Sequence, residues 1–285
     1  MKRRTDRKPH TLRAALLAVL CLTGLFSLAF YDSGHRLVTT EYAVASARLP
    51  AAFDGLRIVQ LSDLHAASFG RDNARLVKTV AAAQPDLIVL TGDFIETADE
   101  IGVSETLTRQ LAQLAPVYFV SGNHDWASHA AGDLFAALES AGATCLRNEA
   151  VTLTRGAQQL LLVGVEDPNS FADLATPDEV VAQAQAAHPG LFTILIGHRN
   201  YWVTEYPALP VDVILCGHSH GGIIRLPGVG GLISEDRTLF PVYDAGRYDC
   251  GSYAMIVSRG LGQARQFPRL FNNPEVVCVV LRAEA

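Results

Sequence analysis

The sequence predicts an α/β domain with buried β-sheets behind one N-terminal apolar segment. Three observations predict it. From Leu56 onward, short apolar runs alternate with stretches of helical spacing. Several of those runs are uninterrupted, as strands covered on both faces are. Six of them end abruptly in small polar or ligand-type residues, at the strand end where open α/β sheets bind ligands.

Residues 1–13 form a basic flank containing Lys2, Arg3, Arg4, Arg7, Lys8 and Arg13 against Asp6. Residues 14–31, AALLAVLCLTGLFSLAFY, are uncharged and just long enough to cross a bilayer. The basic side places the N-terminus in the cytoplasm and the body outside. A transmembrane anchor is expected. A cleaved signal segment is its alternative, although Ala43-Val44-Ala45 and Ala45-Ser46-Ala47 lie far from the apolar run. Residues 32–54 read as a linker and an edge strand over 39–47, and residues 55–285 as one domain.

Within that domain, 56–61 reads as a strand leading into Ser62-Asp63-Leu64-His65. Residues 72–83 have helical spacing, and 87–90 is a strand ending in Thr91-Gly92-Asp93. A helix over 104–114 precedes the strand 116–121, which closes on Gly122-Asn123-His124-Asp125. A helix over 130–140 and a strand over 160–165 follow. Thr176-Pro177-Asp178-Glu179 is a capping box with proline at the first helical position, opening a helix to about 187. The strand 192–196 runs into Gly197-His198, and 211–216 into Gly217-His218-Ser219-His220. Residues 223–233 read as a buried β-hairpin, with an apolar lip for a lipid tail as the alternative. Residues 253–257 and 276–281 complete the strands.

Composition excludes several functions. Six of the 23 basic residues and one of the 29 acidic ones lie in 1–13, leaving −11 on the rest. An acidic body has no basic stripe for nucleic acid. Besides Cys21, the cysteines at 145, 216, 250 and 278 lack Cys-x-x-Cys spacing. That fits neither a zinc cluster nor a disulfide framework. They read as small buried apolar residues, one disulfide among them being the alternative outside the cytoplasm. His-Glu-x-x-His, a Walker loop and Gly-x-Ser-x-Gly are all missing.

Five of the nine histidines stand at strand exits: His65, His124, His198, His218 and His220, with Asp63, Asp93, Asn123 and Asp125 beside them. Packing does not favour imidazoles and carboxylates converging on one rim, where unpaired charge is expensive. Imidazole, carboxylate and amide oxygen suit Zn, Mn or Fe in five- or six-coordinate sites. The donors are too many for one ion and enough for two. Two metals roughly 3.5–4 Å apart are the arrangement that displaces groups on phosphorus.

Asp63-Leu64-His65, Gly92-Asp93, Gly122-Asn123-His124-Asp125, His198 and Gly217-His218-Ser219-His220 resemble, in order and spacing, the motifs of the calcineurin-like metallophosphoesterase superfamily. Asp54-Gly55-Leu56-Arg57-Ile58, His220-Gly221-Gly222, Arg225-Leu226-Pro227 and Ser258-Arg259-Gly260-Leu261-Gly262 are similar to its membrane-associated bacterial branch, the YkuE/YaeI-like proteins. Gly197 and Arg199-Asn200 are not that family's commonest neighbours of the fourth ligand.

The resemblance implies a four-layer α/β/β/α sandwich and two divalent metal ions (Mn, Zn or Fe). One ion would be held by Asp63, His65, Asp93 and His220, and the other by Asp93, Asn123, His198 and His218. His124 would stay free of metal and face the phosphate, with Asp125 orienting its ring. Arg259 reads either as a contact to substrate phosphate or as a salt-bridged structural arginine. The expected activity is phosphoester hydrolysis, by preference of diesters, on an envelope lipid- or sugar-linked substrate. The protein would be a monomer on the bacterial cytoplasmic membrane with its catalytic domain outside. A UDP-sugar-lipid pyrophosphatase and a non-catalytic metal-binding scaffold are the alternatives.

Overall fold

A computed structural model describes residues 9–170, 175–234, 237–263 and 268–284; the basic residues at 2, 3, 4, 7 and 8 lie outside them. Helix α1 (Pro9–His35) overruns the apolar segment at both ends. Its stretch from Arg13 to His35 is long enough to cross a membrane, and its most apolar 18 residues are not buried. Its last turn is fastened to the body. The Ser33 hydroxyl oxygen accepts the Phe271 N–H at 2.7 Å, and the Asn273 amide donates to the Asp32 carbonyl at 2.8 Å. The Arg75 guanidinium donates to the His35 carbonyl at 2.9 Å.

Strand β1 (Val38–Ser46) is followed by β2 (Arg57–Leu61), α2 (Ala74–Ala82), β3 (Leu87–Thr91), α3 (Ile101–Leu111) and β4 (Val117–Val120). The chain continues through α4 (Asn123–Ala127), α5 (Ala131–Ser140), β5 (Ala143–Cys145), β6 (Glu149–Arg155) and β7 (Gln158–Gly164). Then come α6 (Pro177–Ala187), β8 (Phe192–Ile196), α7 (Trp202–Glu205) and β9 (Val213–Cys216). Short strands β10 (Arg225–Leu226) and β11 (Gly230–Gly231) precede β12 (Gly246–Asp249), β13 (Ala254–Val257) and β14 (Glu275–Ala283).

Two six-stranded sheets result, in the orders β1-β14-β2-β3-β4-β5 and β12-β13-β9-β8-β7-β6. Strands β2 to β5 run parallel, as do β7, β8, β9 and β13, so their C-terminal ends share one direction within each sheet. Ile58, Val89, Val120, Leu162, Ile194 and Val279 fill the space between the sheets. Val59, Leu61, Ile88 and Leu90 point the other way, against α2, α3 and α5. Leu161, Val163 and Leu195 pack against α6 and Trp202 of α7. The four-layer order follows from this alternation: each central strand buries both faces and reads as an unbroken apolar run.

Some elements differ from their sequence patterns. Helix α3 begins three residues earlier than its apolar spacing indicates. Thr97 and Glu100 form a capping box that starts a 3₁₀ turn leading into it. Strands β5, β6 and β12 and helices α4 and α7 have no counterpart in the sequence pattern; β6 is a half-exposed edge whose pattern is weak. The expected hairpin exists but is not buried, because Leu226 and Val229 at its turn face solvent. All five cysteines are free thiols.

Candidate metal centre

The ends of β2, β3, β4, β8 and β9 meet where the two sheets face each other. Backbone bonds stitch them together: the Asp63 N–H donates to the Gly92 carbonyl at 2.9 Å, and the His65 N–H to that of Asp93 at 3.0 Å. Across the sheets, the His218 N–H donates to the Asp63 carboxylate at 3.0 Å. Asp63, His65, Asp93, His218 and His220 all adopt positive φ, between 45° and 69°. For non-glycine residues that conformation costs on the order of 1 kcal/mol each. Five of the fifteen non-glycine residues with positive φ among the described residues are thus ones whose side chains converge here. Gly92 and Gly122 let two loops touch: a Cβ on Gly122 would sit 2.2 Å from an Asp93 carboxylate oxygen.

Two donor groups form around Asp93, beside a third of His65, Glu96 and His124. Asp63, His65, Asp93 and His220 offer atoms that all lie within 4.8 Å of one another, as do Asp93, His198 and His218. Asp93 belongs to both. Asn123 opens α4 beside them, where the His124 N–H donates to Asp93 Oδ1 at 2.8 Å.

These donors fit divalent cations. Asn123 Oδ1 is buried with no hydrogen-bond donor among the described residues, and buried Asp93 Oδ2 faces the imidazole nitrogens of His198, at 3.1 Å, and His65, at 3.8 Å. His65 Nε2 and His220 Nε2 face each other at 3.1 Å, and His218 Nδ1 and His198 Nε2 at 3.2 Å. Nitrogens about 2.1 Å from one ion, at angles of about 90–109°, lie about 3.0–3.4 Å apart.

The opposite ring nitrogens of His198, His65 and His218 are met from behind, while His220 Nδ1 is buried with no partner among the described residues. His198 Nδ1 donates to the Thr91 carbonyl at 2.8 Å, and His65 Nδ1 meets Glu96 Oε1 at 2.5 Å. The Arg199 guanidinium donates to His218 Nε2 at 3.0 Å while gripping buried Asp167 with two further bonds. The His198 and His65 contacts present their Nε2 lone pairs to the centre, whereas Arg199, a donor only, takes the Nε2 lone pair of His218 and leaves the neutral ring's proton on Nδ1.

In the metal-free chain, burial disfavours charge on the His198 ring. Asp93 outweighs it and holds the pKa up at about 10. Asp93 is correspondingly held well below the usual carboxylate range: burial works against its charge, but His198 prevails. Burial drives His218 and His220 well below the ordinary imidazole value, with His198 and His65 respectively adding to it. One proton on His198 therefore compensates the carboxylates where a cation would. A ligating imidazole must give that proton up. Adding Mn or Zn to metal-stripped protein at pH 8 should release about one proton per chain from this ring, measurable in weakly buffered solution with a pH indicator. At about 100 times Kd the same addition should raise Tm by roughly 5–10 °C.

Glu96 was missed in the sequence. Its Oε1 meets both His65 Nδ1, at 2.5 Å, and His124 Nδ1, at 3.1 Å. Burial opposes its charge, but the hydrogen bonds from His124 and His65 outweigh that and hold its carboxyl at about 2. Its position three residues after Asp93 was the available signal. Glu96→Gln should lower metal affinity or turnover by about 10- to 100-fold, as read by metal titration and steady-state kinetics.

Asp125 does not orient His124. Its oxygens accept the backbone N–H groups of Asp93, Phe94, Ile95 and Gly122 at 2.8–3.1 Å, which locks the Asp93 loop against α4. Burial, with Asp93 beside it, pushes its carboxyl up to about 6. The ring's partner is Glu96. Arg259 also stands apart from the donor groups, ion-paired to buried Glu275 at 2.9 Å. The structure therefore favours the salt-bridged reading over a phosphate contact. A cavity of about 290 Å³ opens beside His218, lined by Arg199, Tyr201, Thr204, Thr238, Pro241 and Tyr243.

The sandwich and its doubly shared aspartate define a metallophosphoesterase, and the chain belongs to the calcineurin-like phosphoesterase family, which matches residues 56–222. It is 30% identical over 276 residues to the uncharacterized metallophosphoesterase YkuE of Bacillus subtilis, covering 95% of this chain and 94% of that one. It is likewise 30% identical over 238 residues to phosphodiesterase YaeI of Escherichia coli (79% of this chain, 82% of the relative). Similarity to the UDP-2,3-diacylglucosamine pyrophosphatase LpxG of Chlamydia muridarum is 27% over 295 residues, covering 82% and 86%.

Proposed function

We propose that this hydrolase cleaves a phosphodiester on a lipid- or sugar-linked envelope substrate, using two divalent ions, Mn, Zn or Fe. The observation that carries the reading is Asp93, whose carboxylate stands in two donor groups at once. Asp63, His65, Asp93 and His220 would hold one ion, and Asp93, Asn123, His198 and His218 the other. When bound, such a pair supplies a water-derived nucleophile near neutral pH and positive charge for the phosphoryl oxygens.

The chain's own residues supply orientation and a proton. Glu96 takes His124 Nδ1, and Nε2 would carry a proton to the departing oxygen. A quarter of the His124 side chain is open to solvent, against 3% for His65 and 2% for His220. It is the imidazole a substrate would meet. The cavity beside His218 would receive the bulkier alcohol. The name of the E. coli relative supports the diester preference. The apolar α1 and the basic residues before it support a place on the outer face of the bacterial cytoplasmic membrane.

Likeness to LpxG favours a second reading, hydrolysis of a UDP-sugar-lipid pyrophosphate. That substrate calls for a cytoplasmic site, against the charge flank. To decide, the full chain is stripped of metal, supplied with Mn, Zn, Fe or Mg in turn, and assayed on bis(p-nitrophenyl) phosphate, p-nitrophenyl phosphate and a UDP-linked lipid. Metal-dependent turnover fastest on the diester is expected. Turnover of none refutes both readings, and preference for the UDP-linked lipid selects the second.

A further inference from the structure

Outside α1, eight large apolar side chains are exposed among the described residues. Six of them are Leu226, Val229, Leu239, Phe240, Val242 and Phe271. They do not scatter. The Arg225 N–H donates to the Leu270 carbonyl, the Leu232 N–H to that of Ile224, and the Phe240 N–H to that of Leu232, at 2.7–3.0 Å. Four segments thus lie side by side, each about 4.8 Å from the next, and form an apron roughly 14 Å wide from Leu270 to Phe240.

One edge of this apron is fixed to α1. The Phe271 N–H is bonded to the hydroxyl of Ser33, in the helix's last turn. From Arg13 to His35 the helix is about 35 Å long, against about 30 Å of hydrocarbon in a bilayer. Ser33, and with it Phe271, would sit at the boundary of headgroups and acyl chains. Beside this same edge, and again at the opposite one, the apron meets the metal centre. The Asn272 amide donates to the carbonyls of His220, a proposed ligand, and of Ile223, and Thr238, Pro241 and Tyr243 wall the cavity beside His218. Apolar groups in such a connected set mark an interaction surface.

We propose that the apron formed by residues 224–232, 239–242 and 270–271 seats in the headgroup–acyl boundary of the membrane that α1 enters, so that the cavity beside His218 opens onto lipid. This rests on α1 spanning the bilayer. It adds that the site draws its substrate from the lipid surface rather than from bulk water. The tether makes lipid the occupant: with Phe271 held to the helix end, the apron is never far from the bilayer, and its aliphatic and aromatic composition suits shallow burial there.

The test uses the full chain in vesicles of phosphatidylethanolamine and phosphatidylglycerol, with and without brominated acyl chains. An environment-sensitive fluorophore is attached to native Cys21 within α1, in a Cys250→Ser background. In chains that also carry Cys21→Ser, it is attached instead through Val229→Cys, Leu239→Cys or Ala157→Cys. Ala157 lies in the β6–β7 turn, at the end of the second sheet opposite the metal centre. Hydrolysis of a soluble diester checks that each labelled chain is folded. Quenching by brominated lipid at 229 and 239 should be about threefold stronger than at 157, with blue-shifted emission. Quenching at 229 and 239 no stronger than at 157, while Cys21 is quenched, overturns the proposal and leaves the anchor standing. If Cys21 is not quenched either, both fall.

Discussion

Asp93→Asn should reduce bound metal from two ions per chain to one or none and lower turnover on a soluble diester by about a thousandfold or more. The substitution is nearly isosteric. The amide can still accept the His124 N–H now bonded to Oδ1 at 2.8 Å, so the loop has the means to keep its shape. What changes is Oδ2, buried and facing His198 Nε2 at 3.1 Å. A neutral amide there removes the one negative charge that stands in both donor groups. Metal analysis of the purified protein and steady-state kinetics check the result. Two ions retained with near-normal turnover would remove Asp93 from the shared position and, with it, the paired-metal reading.

His124→Ala should behave differently. Turnover should fall by about 10²- to 10⁴-fold, the range for losing a positioned acid, while metal stays near two ions per chain. The ring lies edge-on to His65, with centroids 5.0 Å apart, and contacts Glu96 rather than the carboxylates of Asp63 or Asp93. Its side chain is also more open to solvent than those of His65, His198 and His220. A substrate whose leaving group is already a good one, such as p-nitrophenolate, should lose less than an alkyl ester, because it needs the proton less. Loss of metal in this variant would instead make His124 a ligand, which the grouping of His65, Glu96 and His124 makes a concrete rival.

Much of this site can be read in one dimension, and the reason is local. Parallel strands deliver side chains at their C-terminal ends, so a ligand residue announces itself by following an apolar run, as Asp63 follows β2 and His218 follows β9. The capping box at Thr176 is equally local and places the start of α6 without reference to anything else. Glu96 has no such mark. It meets His65 across 31 residues of chain, and only the packed β2 and β3 exits bring the two together. Arg199 meets Asp167 across 32 residues. The sequence showed it only as an unusual neighbour of His198. The apolar lip was visible as composition, but whether Leu226 and Val229 lie in or out was not, since apolar residues fit either environment.

The amino-acid order alone determined the class of chemistry, the residue types that converge and the apolar N-terminal segment, because each depends on composition or on neighbours a few positions apart. Folding in three dimensions decided the rest. It turned Asp125 onto four backbone N–H groups, gave Glu96 to His124, tied Arg259 to Glu275, and inserted β14 between β1 and β2 to complete the first sheet. Each of those pairings except the Asp125–Gly122 contact joins groups at least 16 residues apart, and no local preference selects among such partners; the packing of the two sheets does.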